Sequence, residues 1–164
     1  MITYRTGEVI TVRDRAMKRI VEQKELPVEM RDKLVYIAGP IVKDNEVISC
    51  GPTTATRVEP YIYDFVAIAR PKLIVGKGPM YENMEKASRD FGVAYGIFPG
   101  GCGALAAKKL RVKAHYRPEL GMPESVRVFD AKEFGPIAIV IENGRNYLRE
   151  IEEEARRRFS RLFR

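Results

Sequence analysis

LIVGKGPMYENMEKASRDFGVAYGIF, residues Leu73 to Phe98, decides the fold. Leu73 to Val75 is a short apolar run that reads as a buried strand. Within Tyr81 to Phe91, the residues Met84, Ala87 and Phe91 recur at helical spacing. Val93 to Phe98 is again strand-like. Strand, helix and strand in succession predict parallel strands joined by helices.

Working outward, the same alternation continues on both sides. Pro60 fits the first turn of a helix running to about Ala69. Glu46 to Ser49 reads as a strand before a turn at Gly51-Pro52. Leu34 to Ala38 reads as a buried strand stopped by Gly39-Pro40. Asp14 is expected to cap a helix from about Arg15 to Glu25, which Pro27 ends, and Gly7 to Val12 reads as a strand. Toward the other end, Gly103 to Leu110 reads as a helix of small residues. Val112 to Tyr116, Val126 to Phe129 and Ile137 to Ile141 read as strands, and Asn143-Gly144 as a turn. Asn146 to Phe163 is amphipathic, with Leu148, Ile151, Ala155, Phe159 and Leu162 on one face. The fold class is α/β, a central, mostly parallel sheet with helices. Whether the extra strands extend that sheet or form a second one stays open at this level.

The chain has 164 residues, 45% hydrophobic and 31% charged, which suits one globular domain. It lacks an apolar run long enough to span a bilayer. Met1 to Arg19 carries charges throughout, without the apolar core of a secretory signal. The cytoplasm is therefore the expected compartment. Cys50 and Cys102 are its two cysteines, too few for a disulfide framework or a self-sufficient metal site, so no metal is expected on this chain. The net charge of +7 is spread among acids, as in Arg13-Asp14-Arg15. The densest cluster, Arg156-Arg157-Arg158 with Arg161 and Arg164, trails Glu152-Glu153-Glu154 in the order a helix dipole favours. A basic nucleic-acid-binding domain is a distant alternative, disfavoured because no basic motif carries stacking aromatics.

Three segments bear on chemistry. In Ser49-Cys50-Gly51-Pro52-Thr53-Thr54-Ala55-Thr56-Arg57, a Gly-Pro turn leads from a strand into hydroxyls and an arginine. Unpaired backbone N–H groups, two hydroxyl donors and a guanidinium fork make an anion-recognition pattern. A capped helix with a surface arginine is the other reading. Val75-Gly76-Lys77-Gly78 is a sharp turn that leaves a lysine unshielded. It is not a phosphate-binding Walker loop, because Pro71 stands where that loop needs glycine. Gly101-Cys102-Gly103-Ala104-Leu105-Ala106 matches a loose dinucleotide fingerprint, and tight packing explains it better. His115, without a nearby carboxylate, and Cys50 both read as structural.

Taken together, Tyr36-Ile37-Ala38-Gly39-Pro40, Gly51-Pro52-Thr53-Thr54 with Arg57 and Pro60-Tyr61, and Gly76-Lys77-Gly78 resemble the beta subunit of class I fumarate hydratase. The same module forms the C-terminal domain of single-chain class I fumarases and the beta subunit of L(+)-tartrate dehydratase. Gly7 to Asp14, Gly100-Gly101, Glu119-Leu120-Gly121 and Asn143-Gly144 fit it too. The resemblance implies a swivelling β/β/α domain over residues 1–146, with a second, smaller sheet. Residues 147–164 are then a basic helix packed on this domain or on a partner.

It also implies a hydro-lyase interconverting fumarate and (S)-malate, with tartrate dehydration as the alternative. An alpha subunit would hold a 4Fe–4S cluster through three cysteines and complete the site, making the assembly a heteromer such as a heterotetramer, with a homo-oligomer expected of this chain in isolation. Arg13, Thr54, Arg57 and Lys77 would grip the carboxylates. Thr53 would exchange the C3 proton, with Lys77 nearby. One departure is Met17, where members often carry histidine after Arg-Asp-x-x. A buried dicarboxylate demands such cations, since one ion pair at about 4 Å and an effective dielectric near 20 is worth roughly 4 kcal/mol before desolvation.

Overall fold

Four parallel strands organise the computed structural model, which describes residues 1–162. They are β1 (Ile2–Thr11), β2 (Leu34–Tyr36), β5 (Leu73–Gly76) and β6 (Ala94–Ile97), side by side in that order. Between them run α1 (Asp14–Gln23), the hairpin β3 (Ala38–Lys43) and β4 (Glu46–Pro52), a 3-10 turn (Ala55–Val58), α2 (Glu59–Ala69) and α3 (Glu82–Phe91). After β6 come α4 (Gly103–Ala107), β7 (Leu110–Tyr116), β8 (Val126–Glu142), β9 (Arg145–Asn146) and α5 (Tyr147–Leu162).

The 17-residue β8 runs antiparallel to β1 from Arg127 to Ala138, and to β6 from Ala138 to Ile141. Pairing therefore passes from β1 through β2, β5, β6 and β8 back to β1, a closed circuit. β7 and β9 add to β8, which makes the sheet seven-stranded, while β3 and β4 pair only with each other. The extra strands thus do both things that the sequence left open.

Two apolar layers result. Ile10, Val35 and Ile74 meet Met17, Ile20, Ile62, Phe65 and Met84 from α1, α2 and α3. Val9, Tyr36, Val75 and Phe129 meet Ala38 and Cys50 of the hairpin and Ala106 of α4. Tyr36 makes edge contacts with Phe98 and Phe134, with centroids 5.8 and 5.0 Å away. Full burial of such side chains contributes about 1.5–3 kcal/mol each.

Several expectations are corrected. Gly39-Pro40 does not stop a strand. The chain leaves the main sheet at Ile37 and continues as β3, where Pro40 faces Cys50 across a two-stranded ribbon that tolerates a missing N–H. Asp44 and Asn45, both at positive φ, make the two-residue hairpin turn. Asp14 makes no cap bond. Arg13 occupies the cap position, and the Arg15 N–H donates to Glu124 Oε2 at 2.9 Å instead. Val126–Phe129 and Ile137–Ile141 are one strand, bent where Glu133 and Gly135 take positive φ. The helix expected to reach Leu110 stops at Ala107, because Leu110 starts β7.

Leu148 of α5 packs on the body, and Asn146 at the end of β9 and Arg149 of α5 reach Glu85 at 2.7 and 3.2 Å. Ile151 is 66% exposed, so the apolar face leaves the body after one turn. The expectations for the Leu162 side chain, Phe163 and Arg164 lie outside what is described. No helix among the described residues is long and apolar enough to cross a membrane.

Candidate functional site

The carboxyl ends of β1, β2, β5 and β6 share one end of the sheet, where open α/β folds place ligands. Arg13 follows β1, Thr53 bonds the residue after β2, Lys77 follows β5, and Gly100 lies just beyond β6.

Backbone hydrogen bonds weld the two turns. The Lys77 N–H donates to the Thr53 carbonyl at 3.2 Å, and the Ala55 N–H to the Lys77 carbonyl at 2.9 Å. Thr54 and Lys77 thus form an isolated parallel bridge. The Thr56 hydroxyl donates to Pro79 O at 2.9 Å, and the Tyr95 hydroxyl to Gly78 O at 2.8 Å. The lysine turn is thereby held on both flanks, and the stem of Lys77 lies against Gly100. Burial pushes the Tyr95 phenol up, so it remains a donor.

The Thr53 hydroxyl donates to Ile37 O at 3.2 Å. Its hydrogen is committed, so its oxygen can accept. Thr54 makes no side-chain cap bond, and its hydroxyl is not used as a helix cap. Arg57, in the same 3-10 turn, pairs with Asp14, and 55% of its side chain is exposed. Asp14 Oδ1 is buried without a partner. Met17, one turn along α1, is a core thioether and offers it no donor.

Arg13 Nε stands 3.2 Å from Glu124 Oε1, an ion pair whose angle is not that of a hydrogen bond. The Arg13 guanidinium lies over Gly39. A Cβ there would stand 2.9 Å from Nη1 and 3.1 Å from Pro123. Two guanidiniums are thus each held by one carboxylate of the chain, with further N–H donors to spare. Lys77 and two threonine hydroxyls stand on the adjoining turns. Glu124 was missed in the sequence, and Gly39 was read there only as part of a family motif and a strand stop, not as the residue that makes room for Arg13. Glu124 lies more than a hundred positions from the residues it serves, and nothing local marks it. A type I′ reading of Asp44-Asn45 would have exposed the hairpin that carries Gly39.

Elsewhere, Gly103 abuts β4, where a Cβ would stand 2.5 Å from Ser49 Oγ, so the loose fingerprint is a packing device. Cys50 is buried, with its thiol pushed up to about 12 by burial. His115 lies in β7 opposite Arg127. Its pKa is held down by burial first and by Arg127 second. No group of three or more His, Cys, Asp and Glu converges as a metal site among the described residues. A concavity of about 320 Å³, lined in part by Arg5, Glu8, Lys33 and Lys72, sits at the opposite, amino ends of β2 and β5.

The sequence model of the family described as Fumarase C-terminus matches residues 3–151. The chain belongs to this family. It is 39% identical to the L(+)-tartrate dehydratase subunit beta of Escherichia coli (strain K12) over 153 residues, 90% of this chain and 76% of that one. It is 35% identical to a putative L(+)-tartrate dehydratase subunit beta of Methanocaldococcus jannaschii, covering 91% and 82%. A putative class I fumarate hydratase of Geobacillus stearothermophilus is 27% identical, with 95% of this chain covering 31% of that protein. In this fumarase-family domain the residues that carry the resemblance, Thr53, Thr54, Arg57 and Lys77, are the ones the two welded turns bring together.

Proposed function

We propose that the chain is the beta subunit of a heteromeric hydro-lyase that interconverts fumarate and (S)-malate. The observation that carries this reading is the coupling of two motifs distant in sequence. The Thr53-Thr54 and Lys77 turns share backbone hydrogen bonds, and the Arg57 turn begins one residue later.

In this reading Arg13, Arg57 and Lys77 grip the two carboxylates, and Thr54 adds a hydroxyl. Thr53, whose hydroxyl donates to Ile37 O in the resting chain, takes the C3 proton as an alkoxide, its own hydroxyl proton having first passed to solvent water and Lys77 on the adjoining turn stabilising the oxyanion. Removing that proton builds charge toward the neighbouring carboxylate, where fixed cations lower the barrier. The exposure of Arg57 supports a second subunit, because a solvated ion pair is weak and only a closing wall would strengthen it.

The donor set of this chain does not fit a 4Fe–4S cluster. Cys50 is enclosed with a raised thiol pKa, the wrong direction for a thiolate ligand. Such a cluster belongs on the alpha subunit in this proposal, and no step here runs through it. A second reading, dehydration of L(+)-tartrate, is favoured by the names of the relatives at 39% and 35% identity.

Anaerobic reconstitution with a cluster-bearing partner tests this. Fumarate hydration is expected in the complex and not in the isolated chain. Thr53→Ala should lower turnover by about 10²-fold or more, while Thr53→Ser retains much of it. Full activity of the isolated chain, or turnover unchanged by Thr53→Ala, would sink the division of labour. Faster turnover of L(+)-tartrate than of malate would establish the second reading.

A further inference from the structure

Arg127 is an anomaly. It lies near the start of β8, between β1 and β7, is 8% exposed, and pairs with no carboxylate among the described residues. Its Nε is enclosed without a hydrogen-bond partner. Its two terminal nitrogens are not among the enclosed atoms, so the head of the side chain opens outward while its inner N–H stays unpaired, and an enclosed donor of a charged group without an acceptor is expensive. The lowered pKa of the group, due to burial, reports the same cost.

The surroundings point one way. Arg127 on β8 lies directly opposite Thr11 on β1 and His115 on β7. Residues in register across antiparallel strands share a face, so the three form one row. Thr11 is fully buried, and its Oγ1 is also without a partner. Two orphaned donors, the Arg127 Nε–H and the Thr11 hydroxyl, thus belong to residues paired across adjacent strands. The row lies at the carboxyl end of β1, and Arg13 follows Thr11 by two residues along extended backbone. It is continuous with the candidate site.

We propose that Arg127, backed by Thr11, is a further carboxylate-binding subsite on the wall behind Arg13. It takes the class of small dicarboxylate that the proposed function assigns to the site, and it rests on that reading. A bound carboxylate supplies the missing counter-charge and accepts from the orphaned donors. Sheet strands rather than a loop hold the subsite, so it is formed before ligand arrives.

The test uses the full chain, with succinate as the probe and sodium chloride matching the ionic strength. His115 is the only histidine, so its imidazole proton is a single resolved NMR reporter. Succinate near Arg127 should offset the guanidinium and raise the pKa of His115. It should also raise the Tm by about 2–5 °C at saturating concentration. Arg127→Met keeps the length of the stem and removes the charge. It should abolish both responses and, without succinate, leave Tm equal to or above that of the wild type. Lys108→Met, an exposed control, should keep both.

Succinate responses that persist in Arg127→Met, or none in the wild type, would overturn the subsite. So would a large fall in the Tm of Arg127→Met without ligand, which would make the arginine a structural brace. Responses of Arg127→Met that match the wild type only when the partner subunit is bound would assign the arginine to a carboxylate of that subunit, and would also overturn it. None of these readouts requires turnover, so they separate failure of the subsite from failure of the hydro-lyase reading.

Discussion

At the scale of single residues, the site depends on what holds each cation still. Asp14 and Glu124 each pair with one arginine, Arg57 and Arg13, and in the proposed function the remaining N–H groups take the substrate carboxylates. Gly39 is as important, because only a missing side chain lets the Arg13 guanidinium lie where it does. Gly39→Ala should therefore displace that guanidinium by a few tenths of an ångström to an ångström. In the reconstituted enzyme we expect kcat/KM to fall by about 10–100-fold, with Tm nearly unchanged. Wild-type kcat/KM in this variant would remove Arg13 from the grip. That Thr53, Thr54, Arg57 and Lys77 stand in or beside turns was legible because each sits inside a short motif with turn residues around it. Glu124 was not, since a carboxylate that caps a helix from across the molecule leaves no local pattern.

At the scale of elements, the lysine turn is a short bend stapled from three sides. Thr56, Tyr95 and the Thr53 backbone each bond a different residue of Gly76 to Pro79. Tyr95→Phe keeps the ring and removes one staple, leaving the Gly78 carbonyl without its donor. The loss expected in urea unfolding is about 1 kcal/mol. Substrate KM in the complex should rise as Lys77 loosens. A Tyr95→Phe chain with wild-type stability would show that the hydroxyl bond carries nothing. Most elements were readable in outline from apolar periodicity. The exceptions are instructive. Gly39-Pro40 carries a strand because β3 answers to a single partner. The run Glu133 to Pro136 looks like a break, yet β8 passes through it, paired with β1 on both sides of it and with β6 from Ala138 onward.

For the whole molecule, Glu8 joins three strands at the end opposite the site. Lys113 on β7 and Lys33 just before β2 meet its carboxylate at 2.7 and 2.5 Å. The hydrogen bond from Lys113, then that from Lys33, hold its pKa below the usual carboxylate range. A folded-state pKa below the unfolded one means the contribution is complete above the ordinary carboxylate value. It is lost as pH falls through the depressed value. Glu8→Gln should thus lower Tm by about 2–4 °C at neutral pH, and the gap to wild type should close in acid. An equal gap at both pH values would rule out this linkage. The sequence by itself determined the α/β class, the family and the motif residues, because strand and helix periods and turn chemistry are local properties of neighbouring side chains. Tertiary structure alone decided the closed circuit of strands, the carboxylates that hold each arginine, and the orphaned row at Arg127. Those features arise where strands far apart in the chain fall into register, and the energy of a buried charge depends on what the fold places around it.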